Sequence, residues 1–196
     1  MPKHPLIVRL LKGMFNVRPP VPRYNGTWDV NIVLKLLENW HPLETLDEVK
    51  HLTFKTVALV GLISAQRGQA LAALTLKDMS VSEDGTRFCV SRLLKTSRPG
   101  KSSTPIIVPK NTSNGRLCPH STLQTYTSRT ESVRNSIGTD SISISLCSPF
   151  KAVGSSSLSR WLKTVLSLAG IDSSVYTGHS FRSASTSKVL WRLHKP

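Results

Sequence analysis

Acidic residues are scarce in this sequence: 11 Asp plus Glu stand against 26 Lys plus Arg in 196 residues, a formal charge of +15 and a sequence pI near 10.3. Cysteine is scarcer still. Cys89, Cys118 and Cys147 are odd in number and too widely spaced for a CxxC pair, so neither a disulfide framework nor a zinc site is expected, and buried free thiols are. Long apolar runs are missing too. The longest, Thr56 to Ala65, is about half of the roughly 20 residues a membrane span needs. Leu6 to Leu11 is broken by Arg9, followed by Lys12, and leads to no small-residue cleavage site, so secretion is not expected and an intracellular location is. Glycine spacing of the P-loop or dinucleotide type does not occur, so no nucleotide cofactor is implied.

What is present suffices for a fold. Hydrophobic residues make up 39% of the chain, with four Trp and five Phe, too many for a disordered basic tail. The length suits one domain with a stub of a second. The positive charge is segregated: residues 91–135 carry +7 and 151–196 carry +6, while 31–90 carry −1 because seven of the eleven acids fall between Glu38 and Asp84. A cationic face for a polyanion follows, with nucleic acid the first candidate; ribosomal and chromatin proteins, membrane-surface binders and basic enzymes share such a balance.

Residues 1–23 hold a short apolar piece and then Arg18-Pro-Pro-Val-Pro-Arg23, a stiff extended linker. Asn25-Gly26-Thr27 offers a turn and an N-cap. Ile32, Val33, Leu36, Leu37 and Trp40 then recur at helical spacing until His41-Pro42. A second helix is expected from about Leu46 to Ser64, with an apolar face wide enough for full burial. After Gln66-Arg67-Gly68 helical spacing returns from Gln69 to Asp78, which puts Arg67 at a junction of two helices. Residues 86–94 alternate as a strand, and Pro99-Gly100 followed by Pro105–Val108 completes a hairpin. A helix over 119–133, a short alternating piece at 142–146, a helix over 157–169 stopped by Gly170, and a last helix over 177–193 complete the reading. The fold class is α+β, mostly α, with a small antiparallel sheet.

His179 and Arg182 lie three apart, on one side of a helix near its N-terminus, where an anion is favoured. Alone, such a pair is as readily a core histidine beside a surface arginine. In order along the chain stand Ser64-Ala-Gln-Arg67-Gly-Gln at a helix junction, Leu94-Lys95-Thr-Ser-Arg98-Pro-Gly after a strand, and Gly178-His179-Ser-Phe-Arg182-Ser-Ala-Ser-Thr opening a late helix. This series, over residues 27–188, resembles the tyrosine recombinase (phage integrase) family, most of all the recombinases of DIRS and Ngaro-type retroelements. The resemblance implies a mostly helical catalytic domain that cups duplex DNA. It divides the chain into residues 1–26, a remnant of an N-terminal DNA clamp plus linker, and 27–196, a truncated catalytic domain.

It also implies a site. Arg67 and Arg182 would grip the oxygens of a scissile phosphate through forked, charge-assisted hydrogen bonds. Lys95 would protonate the departing 5′ oxygen, and His179 would assist in proton transfer or orient the phosphate. Arg92, Arg98 and Lys101 would add DNA contacts around the hairpin. No metal or other cofactor is called for. The family's attacking tyrosine lies beyond HxxR; here no tyrosine follows Arg182, and Tyr24, Tyr126 and Tyr176 read as packing or hydrogen-bonding residues. The expectation is therefore a nuclear, retroelement-derived DNA-binding protein of recombination or integration, inactive in strand cleavage alone, with double-stranded DNA as partner and recombinase-like protomers on paired sites as further partners. Two rival readings stand beside it: a recombinase component whose tyrosine comes in trans from another chain, and a basic nucleic-acid-binding protein without recombinase ancestry.

Overall fold

A computed structural model describes residues 4–19, 26–40, 49–92, 100 and 104–187. The chain is mostly helical with one small antiparallel sheet, as the apolar periodicities require. Its centre is helix α3 (Val49–Ser64), in which every residue from Leu52 to Leu62 is buried. Around it pack α4 (Gly68–Ala72), α5 (Pro119–Arg129), α7 (Ser155–Leu168), α8 (Ser180–Ser187) and strand β3 (Ile106–Pro109). An all-round apolar helix is stable only when other elements cover all of its faces. The start of α3 matches the expectation in part, because residues 41–48 lie outside the described residues.

Helix α1 (Pro5–Val17) occupies the apolar piece near the N-terminus and buries none of its residues; Leu6, Leu10 and Phe15 are exposed. Helix α2 (Val30–Asn39) begins later than the turn Asn25-Gly26-Thr27 suggests. Its cap is Asp29, whose carboxylate accepts the Asn31 N–H at 3.0 Å. Strand β1 (Met79–Ser82) pairs with β2 (Gly85–Phe88), which pairs with β3, all antiparallel, with Thr86 opposite Val81 on one side and Val108 on the other. The hairpin partners are those expected, but the first strand ends at Phe88, and β1 has an exposed surface with no alternation to reveal it.

Other differences have local causes. The helix expected over Gln69–Asp78 stops at Ala72, because Leu76 N–H donates to the Asp140 carbonyl and Ile142 N–H to that of Leu74, tying the chain to residues 140–142. The helix expected over 119–133 is two, α5 and α6 (Glu131–Ile137), parted at Thr130. The piece at 142–146 forms one isolated bridge, Ile144 to Ala152, rather than a strand. Buried Arg134 on α6 anchors it: the guanidinium donates to the carbonyls of Ser141, Thr127 and Ile142 at 2.9, 3.0 and 2.8 Å. Helix α7 ends as expected, with Gly170 at φ 75°, a conformation costly for any residue with a Cβ. Of the three thiols only Cys118 is buried; Cys89 and Cys147 are exposed, which corrects the expectation of buried cysteines. No helix among the described residues is long and apolar enough to cross a membrane.

Candidate nucleic-acid interface

Three pieces of chain converge beside the end of α3. The first is the exit Ser64-Ala65-Gln66-Arg67. Ala65 takes a left-handed φ of 49°, which breaks the helix and turns the chain before α4 starts; an alanine there stores strain of about 1 kcal/mol. Arg67 follows as the residue capping α4. Its carbonyl accepts from the N–H groups of Ala70 and Leu71, and its side chain stands exposed.

The second piece opens α8. Ser180, Phe181, Ala184 and Ser185 are buried, while His179, Arg182 and Thr186 are exposed, an inner and an outer face at helical spacing. The inner face is held at three points. Trp28 Nε1 donates to Ser180 Oγ at 2.8 Å, the Trp28 and Phe181 rings meet edge-on at 5.0 Å, and Ser185 Oγ donates to the Leu62 carbonyl at 2.5 Å. With those anchors fixed, His179 and Arg182 have one side on which to emerge.

The third piece is α7, which spans the other two. Its N-terminal Ser155 lies beside Gly68, and its Ser159 lies against Gly178. At Gly178 the approach is so close that a Cβ would fall 2.6 Å from Ser159 Oγ and 2.8 Å from both its Cα and its carbonyl oxygen, so only glycine fits. One helix thus sets the position of Arg67 relative to His179 and Arg182.

The result is a cavity of about 780 Å³ lined by Arg67, His179 and Arg182 together, three of the four residues expected at the site. Lys95, Arg98 and Lys101 lie outside the described residues. Arg92 is exposed and lines an adjoining cavity of about 840 Å³ instead. Two cations missed in the sequence complete the first cavity, Arg160 and Lys163 of α7. They carry the only charges on that helix and sit opposite its buried stripe of Leu158, Leu162 and Val165, a placement that reads equally as a solvated face. No signal in the sequence sets them apart from a solvated helix face.

The charges lining the cavity are all basic: among the described residues no carboxylate lines it. Arginine forks and an imidazole without an acidic partner suit a phosphate or another oxyanion. No group of three or more potential metal ligands occurs among the described residues. Among the described residues no tyrosine lines the cavity. Tyr126 is buried elsewhere, under the Arg134 guanidinium, with its hydroxyl accepting the Ile144 N–H at 3.4 Å; burial pushes its phenol pKa up, away from nucleophilic use. No model of a known protein family matches the chain, and no curated protein is detectably similar to it.

Proposed function

We propose that this chain binds duplex DNA through a tyrosine-recombinase-like phosphate pocket, with Arg67 and Arg182 gripping one phosphodiester, His179 orienting it and Lys95 as a further phosphate contact. The observation that carries the reading is the meeting of Arg67, from the middle of the chain, with His179 and Arg182, from its end, around one acid-free cavity. A protein basic only for solubility has no reason to line one cavity with three such groups. Among the described residues no tyrosine lines the cavity, and the activity proposed is binding. Strand transfer would need a nucleophilic hydroxyl in addition to these residues.

Fluorescence anisotropy with a labelled mixed-sequence duplex tests this. Arg67→Gln and Arg182→Gln should each weaken binding about 10-fold or more, the cost of a charge-assisted hydrogen bond to phosphate, whereas Lys50→Gln, on the far-off start of α3, should change it about 2-fold at most. Equal small effects from all three would leave a basic nucleic-acid binder without a recombinase-like site.

A further inference from the structure

The cavity is larger than one phosphate needs. A phosphate fills the space of a few water molecules, each about 30 Å³, against about 780 Å³ here. A backbone passing through it can leave on either of two sides. One side crosses the shared residues Gln69 and Ser155 into the adjoining cavity, where, among the described residues, Lys77 and Arg92 stand with Asp78 and Asp140 and the charges cancel. Lys77 is moreover already paired with Asp140 at 3.3 Å. The other side runs along α7, where Ser156, Ser159, Arg160 and Lys163 follow the i, i+3, i+4, i+7 pattern of a single helix face and all line the phosphate cavity. Arg160 and Lys163 are exposed, about 4.5 Å apart along the helix axis, and no carboxylate lines the cavity beside them. Arg160 is held loosely, by one hydrogen bond of 3.2 Å from its guanidinium to Ser157 Oγ on the same helix, a contact a phosphate oxygen can replace.

We infer that Arg160 and Lys163 form a second phosphate subsite, so that the pocket clamps consecutive phosphates of one DNA strand, which leaves along α7 and not through the adjoining cavity. The inference rests on the DNA-binding reading and adds to it a direction and a minimum length of strand. Charge among the described residues gives the direction: there the α7 exit offers two cations without a carboxylate, and the other exit offers none in excess.

The salt dependence of duplex binding by the full chain provides the test. Each phosphate neutralised contributes about 0.9 to the slope of log affinity against log salt, so Arg160→Gln with Lys163→Gln should lower the slope's magnitude by about 1.8. The charge-keeping pair Arg160→Lys with Lys163→Arg should retain it, and Lys50→Gln should leave it near the unsubstituted value. Both substituted side chains are exposed, and a thermal melt verifies that each variant folds. A double-Gln slope equal to that of Lys50→Gln, with Arg67→Gln still weak, overturns the second subsite and spares the first. Loss of slope in the charge-keeping pair also overturns it, since the effect would then come from packing. If Arg67→Gln and Arg182→Gln bind normally, the phosphate pocket itself fails, and this subsite with it.

Discussion

Lys55 is the residue on which the chemistry of the core bears most directly. It lies fully buried on the central helix and donates to the Trp40 carbonyl at 2.6 Å. Burial lowers its pKa to about 8; Glu38 opposes the shift and Arg116 adds to it. An unfolded chain holds that proton up to the ordinary 10.5, so between pH 8 and 10 the unfolded state binds more protons and stability rises with pH. Tyr126 acts in the opposite sense only above its ordinary value near 10, because burial raises its pKa. Denaturant melts at pH 8 and pH 10 should therefore show the unsubstituted chain gaining stability relative to Lys55→Met; a pH-independent difference would mean that Lys55 is not desolvated. Lys55 illustrates what periodicity can miss: the α3 sequence reads as an apolar core helix, and a lysine in it reads as its solvated edge. What keeps Lys55 inside is a carbonyl at the end of another helix.

At the scale of elements, the amphipathic helices were legible and the small connecting structure was not. Helix α7 shows in the spacing of Leu158, Leu162, Val165 and Leu166, and its stop in Gly170, because each is a local rule acting on neighbouring residues. Strand β1 has no apolar alternation, and the early end of α4 depends on hydrogen bonds to residues near 140, about 65 positions away. The bracing role of α7 belongs with these non-local features, since it depends on Gly178 meeting Ser159. Gly178→Ala should lower stability by about 1–3 kcal/mol through overpacking and weaken DNA binding at the same time, as α8 shifts from α7. Trimming Ser159 to glycine should not rescue it, because the clash includes the Ser159 backbone. A Gly178→Ala chain of unchanged melting temperature and DNA affinity would show that the contact does not set the site.

For the molecule as a whole, charge and topology act together. The cations are segregated along the sequence, and folding brings Arg67, from a stretch whose charges nearly balance, to the basic C-terminal third. Arg67, His179 and Arg182 were legible because each stands in a short, distinctive piece of text at a helix boundary. Arg160 and Lys163 were not, because nothing in an amphipathic helix distinguishes a ligand-facing from a water-facing cation until the neighbouring elements are in place.

The shared grip of Arg67 and Arg182 on one phosphate is tested most directly by a double-mutant cycle of duplex DNA binding with Arg67→Gln, Arg182→Gln and the pair. Two guanidiniums on the same phosphodiester should be coupled, with the double variant departing from the sum of the single losses by more than about 0.5 kcal/mol. Losses that add within that margin would mean the two arginines bind separate parts of the DNA, and would contradict a common phosphate site.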